Sequence, residues 1–246
     1  MLMGGTGLGL LVAAACESNA ASPGTSLPGG GGGGGTTVPG AIPEETAGPY
    51  PGDGSNGANV LNQAGIVRSD IRSSFGSSTT VATGVPLTIK LKILDLANAS
   101  APYEGAAVYL WHCDINGRYS LYSPGVTNEN YLRGLQVADA NGDVTFTSIF
   151  PACYSGRWPH IHFEVYPSVG AITSATNKIA TSQLALPKAT FDDVYASPGY
   201  ATSISNASQV SLASDMVFSD GADSETPTVS GSVADGYVAS LNVPVT

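Results

Sequence analysis

The chain has 246 residues and carries 19 Asp and Glu against 9 Lys and Arg, a formal net charge of −10. A surface this acidic repels phosphate backbones, so nucleic acids are excluded as partners. Only 11% of residues are charged, against about 25% in an average soluble domain; Ser, Thr, Asn and Gly fill the gap, a balance that suits an exported β-rich protein better than a cytosolic helical one. The length allows one well-cored domain with sequence to spare.

The chain opens with MLMGGTGLGLLVAAAC, in which an apolar run from Leu8 to Ala15 precedes Cys16. Eight apolar residues are too few to cross a bilayer, which takes about 20, and fit the apolar stretch of a signal peptide. Small residues followed by Cys match a bacterial lipoprotein cleavage site, which makes Cys16 the candidate lipid anchor and places the protein outside the cytoplasm. A plain signal peptide with an incidental Cys is the alternative. No Lys or Arg precedes Arg68, and Ala13 stands where such sites usually carry Leu, so the true start is expected upstream. Residues 17–42, with an uninterrupted Gly29–Gly35, read as a flexible tether. Such a linker reaches about 25–30 Å. The folded domain is expected over 43–246.

Within that domain, short apolar or β-branched runs alternate with Gly, Pro, Asn and Asp. Pro86–Leu94 places Leu87, Ile89, Leu91 and Ile93 on one face and Thr88, Lys90 and Lys92 on the other. Ala106–His112 is continuously apolar, as a strand buried on both faces would be. Asp143–Ile149 follows the turn signal Asn141-Gly142; His160–Tyr166, Ser182–Leu186, Val229–Val233 and Tyr237–Val243 complete the set. No stretch keeps a 3.6-residue apolar period and none repeats. The fold class is therefore all-β, an antiparallel β-sandwich. With Cys16 set aside, Cys113 and Cys153 remain as an even pair, expected to form a disulfide in an oxidising compartment; two buried thiols acting as small hydrophobes are the alternative.

The most informative segment is Cys153–Phe163, CYSGRWPHIHF. His160 and His162 lie two apart on a strand, so both imidazoles leave the same face. Nearby Tyr119 and Tyr154 offer hard oxygen donors. A phenol with a pKa of about 10 needs a strongly polarising cation to stay ionised near neutrality, which points to Fe(III) over Zn(II) or Fe(II). Spacing alone does not bring both tyrosines to one ion, and packing is the plainer role for any one of the eleven.

At these residues the chain resembles the intradiol ring-cleavage dioxygenases, the group of protocatechuate 3,4-dioxygenase and catechol 1,2-dioxygenase. The resemblance runs from about Glu45 to Leu186. It takes in Glu45-Thr46-Ala47-Gly48-Pro49-Tyr50, Val67-Arg68-Ser69-Asp70-Ile71, Gly84-Val85-Pro86-Leu87 and Gly105-Ala106-Ala107-Val108. It continues through Trp111-His112-Cys113-Asp114, Gly117-Arg118-Tyr119-Ser120, Phe150-Pro151 with Tyr154, Arg157 and His160-Ile161-His162-Phe163, all in the family's order. It implies that Tyr119, Tyr154, His160 and His162 ligate Fe(III). Arg157 then stabilises negative charge on the substrate ring, and Gln183 is a second polar group of the site. The implied substrates are catechol-type diols and O2; the diol enters as a dianion in place of the ligand matching Tyr119, and cleavage between the two hydroxylated carbons gives a muconate-type diacid. The chain departs from the family pattern in its short connection between Tyr154 and Arg157 and in the order Arg157-Trp158-Pro159-His160. The helical dimerisation region of catechol 1,2-dioxygenases is replaced by the Gly-rich tether, so the oligomeric state stays open.

Two other readings compete: a non-catalytic sandwich that binds iron or catecholates without turnover, and a zinc hydrolase built on His160 and His162. Arg157 and Gln183 favour the enzyme, because neither is needed merely to hold iron; no obvious general-base carboxylate serves a hydrolase. His112 reads as a satisfied core or near-site histidine, and Asp139 and Asp143 as turn residues. Asp192, Asp193, Asp215 and Asp220 read as solvated loop acids. Asn206-Ala207-Ser208 matches a glycosylation acceptor that has no meaning in a bacterial lipoprotein.

Overall fold

The computed structural model describes residues 38–246, so the expected signal segment over 1–16 and most of the tether lie outside the described residues. Alternation in the first long strand, β1 (Pro86–Asp95), sends Leu87, Ile89, Leu91 and Ile93 inward. β1 pairs antiparallel with β5 (Asp143–Ile149), with Pro86 opposite Ile149 and Lys92 opposite Asp143. Near its end it also pairs with the two-residue β2 (Ala101–Pro102). On its other side it runs parallel to β9 (Gly236–Val245), which forms a hairpin with β8 (Thr228–Ser232). The second sheet has the order β4 (Arg133–Val137), β3 (Ala107–Trp111), β6 (His160–Tyr166), β7 (Ala180–Ala185), every pair antiparallel. The two sheets enclose one core of Ile89, Leu91, Phe146 and Val243 with Val108, Leu110, Ile161, Phe163 and Val165. An all-β sandwich is thus the fold; among the strands of the described residues β1 and β9 pair in parallel and the other strand pairs are antiparallel.

Every residue of β3 and β6 is buried, because the second sheet is covered on its outer face as well. There Val60, Leu61 and Ile66 pack on Ala107, Tyr109, Trp111 and Tyr166. Arg133 ties the covering chain down. Its Nε donates to Ser120 Oγ (3.0 Å), Nη1 to the Pro51 carbonyl (2.8 Å) and Tyr109 Oη (3.0 Å), and Nη2 to the carbonyls of Tyr50 and Ser120 (both 2.9 Å). All five N–H groups of a buried guanidinium are thereby satisfied. Gly52, at φ 67°, passes so close that a Cβ there would sit 2.9 Å from Arg133 Nη1.

Three features lie beyond the sequence pattern. β4 carries only two apolar residues, Leu135 and Val137, too few to mark a strand. The helix α1 (Lys188–Tyr195) buries Phe191, Val194 and Tyr195, one spaced set in a single pair of turns. The helix α2 (Ala201–Ala207) buries only Ser203 and has no apolar stripe.

The expected Cys113–Cys153 disulfide is corrected: both are buried free thiols. They belong to different packing clusters, Cys113 under the cover of the outer face and Cys153 in the inter-sheet core. Each Sγ turns to a carbonyl, Cys113 to Ala152 at 3.6 Å and Cys153 to Arg157 at 3.3 Å. Burial pushes both thiols up, Cys153 to about 12.

Two outcomes follow for stability. Arg133→Met leaves buried carbonyls without donors and is expected to cost about 2–4 kcal/mol, read as a lowered urea midpoint at unchanged m-value. Cys113 and Cys153 are expected to resist a thiol reagent in the native protein and to react fully once it is unfolded without reductant; mass mapping that finds them linked would refute the free-thiol arrangement.

Candidate metal centre

The alternation of β6 puts His160 and His162 on the outer face of the second sheet. Ladder register then builds a row across all four strands: Arg133 lies beside Trp111, Trp111 beside His162 and His162 beside Gln183. Partners directly opposite in a ladder share a face, so these four side chains line one floor. The tyrosines come from loops above it. Tyr119 follows a turn set by Asp114, whose Oδ1 accepts from the backbone N–H of Asn116 (2.9 Å) and Arg118 (3.0 Å). Asp114 Oδ2 accepts from Arg118 Nε at 2.9 Å and Tyr131 Oη at 3.1 Å. Gly117 in that turn has φ 75°, and a Cβ there would stand 3.1 Å from Tyr154 Cβ, so glycine lets the two loops meet.

The four side chains converge. Tyr154 Oη is 3.1 Å from His160 Nε2, and Tyr119 Oη is 3.3 Å from His162 Nε2 and 3.5 Å from His160 Nε2. The two Nε2 atoms are 3.1 Å apart. His160 Nδ1 lies 2.5 Å from the Trp158 carbonyl; a carbonyl can only accept, so Nδ1 carries the proton and Nε2 presents its lone pair to the cluster. Burial, then the neighbouring Arg157 charge, drives His160 down to about 3. His162 is held well below its usual range by burial, then by His160 and Arg157. Both imidazoles are therefore neutral, the form that ligates metals. Burial pushes Tyr119 well above its ordinary value and Tyr154 to about 12.

This donor set fits a small, hard cation. Donors about 2.0–2.1 Å from one ion stand roughly 3–3.5 Å from each other, the spacing found between these atoms. The raised phenols stay protonated near neutrality unless a strongly polarising ion displaces their protons. Among the described residues no group of three or more His, Cys, Asp or Glu side chains could hold a metal, so the tyrosines are essential to the set.

Arg157 borders the cluster, with Nη1 3.5 Å from His160 Nε2. Its Nη2 donates to Gln183 Oε1 at 2.7 Å, and Gln183 Nε2 donates to the Thr46 carbonyl at 2.8 Å. All six sequence-predicted site residues, Tyr119, Tyr154, Arg157, His160, His162 and Gln183, thus come together. Asp215 requires a correction. It is a fully buried residue whose Oδ2 pairs with Arg157 Nε at 2.9 Å, not a solvated loop acid; Asp192, Asp193 and Asp220 are exposed as expected, but Asp192 and Asp193 stand on the helix α1 and not in a loop. His112 is a core histidine, with Nδ1 2.8 Å from the Cys113 carbonyl and Nε2 2.7 Å from Ser148 Oγ. Asp139 closes its turn by accepting from Asn141 and Asp143 N–H.

A family model described as "Dioxygenase" matches residues 63–177, a span that contains Tyr119, Tyr154, Arg157, His160 and His162. An intradiol ring-cleavage dioxygenase from Tetranychus urticae superposes with a TM-score of 0.65 at 26% identity, over 84% of this chain and 94% of that one. In sequence and in fold the chain is similar to intradiol ring-cleavage dioxygenases. A chlorocatechol 1,2-dioxygenase from Rhodococcus opacus is 28% identical over 91 residues, which is 32% of this chain and 35% of that relative. The matched segment therefore spans about a third of that curated protein's length. The 3-chlorocatechol 1,2-dioxygenase structure from Rhodococcus opacus shares the fold at a TM-score of 0.52 and 16% identity, over 83% of this chain and 72% of that one.

Two side chains that support this cluster were not singled out as site residues by their sequence pattern: Asp215, more than 50 positions from Arg157, and Trp111. The Trp111 ring stacks on His162 at 4.9 Å and 4°. His162 Nδ1 is buried without a hydrogen-bond partner, so packing against Trp111 takes the orienting role that a hydrogen bond plays for His160. Trp111→Leu is expected to weaken ferric-ion binding by about 10- to 100-fold, measured by competition against a chelator; unchanged affinity in a folded variant would dismiss the stack as what orients His162.

Proposed function

We propose that this chain is an Fe(III)-dependent intradiol dioxygenase that cleaves catechol-type aromatic diols with O2, giving muconate-type diacids. The observation that carries the reading is the convergence of two phenols and two neutral imidazoles beside Arg157 and Gln183. Tyr119, Tyr154, His160 and His162 would hold the metal. Once bound, ferric iron supplies Lewis acidity that draws electron density from a chelated diol.

The remaining work falls to the protein. The Trp158 carbonyl aims the His160 Nε2 lone pair at the cluster and the Trp111 stack holds the plane of the His162 ring, so the donors need little rearrangement. Tyr119 Oη, which burial makes strongly basic as a phenolate, would accept and hold a proton released by a diol bound beside it. Arg157 Nη1 offers fixed positive charge beside the cluster, where anionic charge on the ring would grow. Gln183 bridges Arg157 to the Thr46 carbonyl and so ties the covering chain to this wall. These groups also enclose the site: His160 and His162 are buried, with Gly48 against the His162 ring and Tyr119 and Tyr154 against the two imidazoles, which keeps bulk water from the reacting groups. Action outside the cytoplasm belongs to the same proposal and rests on the Leu8–Ala15 run ahead of Cys16.

The test is the visible spectrum of the purified protein, in air, before and after adding catechol. Tyrosinate on Fe(III) is expected to colour the protein red to brown, the band moving to longer wavelength with catechol and then decaying as O2 is consumed. A shifted band that persists would favour a catecholate-binding module. A protein that stays colourless after iron reconstitution would overturn the ligand assignment.

A further inference from the structure

Asp215 lies in a loop of the C-terminal segment that no strand or α-helix contains, between two single 3-10 turns, Leu212–Ser214 and Phe218–Asp220. It is nonetheless fully buried, and both carboxylate oxygens are engaged. Oδ1 accepts from the backbone N–H of Val217 (2.8 Å) and Phe218 (3.2 Å). Oδ2 accepts from Arg157 Nε (2.9 Å) and from the backbone N–H of Trp158 (2.6 Å). The Asp215 N–H donates to the Ser211 carbonyl at 2.9 Å, which closes the loop on itself.

The effect on Arg157 is specific. Nε is taken by Asp215 and Nη2 by Gln183 (2.7 Å), while the Phe218 ring lies 5.8 Å from the guanidinium carbon. Two edges and one face of the guanidinium are thus held by protein. Nη1 is the corner left toward the tyrosine–histidine cluster, 3.5 Å from His160 Nε2. Because Oδ1 also fixes the Phe218 backbone, one carboxylate sets both the edge and the face against which Arg157 rests. The bond to Trp158 N–H further holds the residue whose carbonyl sets the His160 tautomer.

We infer that Asp215 is a positioning residue, which locks the plane of Arg157 so that Nη1 faces the reacting diol. The inference rests on the dioxygenase reading above and extends it to a residue outside the matched span. It predicts that a neutral side chain fails here: the amide of Asn presents one oxygen to donors that now share two, and its NH2 must face an N–H.

Two readouts test it in the full-length iron-loaded protein, with a third in the iron-free form. In Asp215→Asn, kcat for catechol is expected to fall on the order of 10- to 100-fold, with KM and the tyrosinate band little changed. In an Arg157→Gln background the same substitution is expected to cost almost nothing further, because residues acting as one unit are non-additive. In 15N spectra of the iron-free protein, the Arg157 Nε–H signal is expected to be protected from exchange and to lose that protection in Asp215→Asn. Additive losses of kcat, full kcat in Asp215→Asn, or an unprotected wild-type Nε–H would each overturn the inference. If Asp215→Asn does not fold, Asp215→Glu replaces it in the cycle, and full kcat there would overturn the inference equally, since a longer carboxylate cannot hold Arg157 in the same place. A protected Nε–H in wild-type protein that never turns over catechol would sink the dioxygenase reading alone.

Discussion

The centre depends on a polar row buried on the outer face of a sheet that the chain then covers. Arg133, Trp111, His162 and Gln183 stand side by side across β4, β3, β6 and β7. A buried polar group without a partner costs on the order of 1–3 kcal/mol, so each member constrains what lies above it. Arg133 draws in the carbonyls of Tyr50, Pro51 and Ser120, and Gln183 draws in that of Thr46. The covering segment 46–51 is therefore pinned at both ends of the row. Ser120 is the neighbour of Tyr119, so the same guanidinium that closes the cover also seats a donor of the cluster.

Electrostatics divides this wall into two kinds of group. His160 and His162 are forced neutral by burial, and the phenols of Tyr119 and Tyr154 are forced to keep their protons. Left alone, the cluster carries no charge, although four good donor atoms point at one place. Such a set has little affinity for protons beyond those it holds, and a cation enters it only by displacing the phenolic ones. Beside it, the buried charge of Arg157 is matched by Asp215, so a guanidinium stands next to the cluster without being an uncompensated buried ion. The neutral donor set and the paired charge thus lie side by side as separate groups, as the proposed division between metal binding and substrate handling requires.

How much of this was legible in the sequence follows from which interactions are local. The period-2 alternation of β1 and the His-x-His of β6 are properties of neighbouring residues, and both held to within a residue or two. The order of Tyr119, Tyr154, Arg157 and the two histidines along the chain carried the family resemblance, and hence the candidate ligands. β4 and α2 were illegible because each buries too few apolar side chains to leave a period; they form where the rest of the fold offers ladder partners or a surface.

By itself, then, the sequence determined the fold class, the face shared by His160 and His162, and the residue types able to bind a hard cation. Only the tertiary structure decided which distant groups meet them. Asp215 reads as one acid among several until a loop more than 50 residues away places its carboxylate on Arg157. Cys113 and Cys153 form an even pair on paper, yet fall in separate packing clusters. Trp111 is one more apolar strand residue until ladder register sets its ring on His162. The reason is common to all three: contacts between residues far apart in the chain are set by register and loop closure, which no local pattern of residue types encodes.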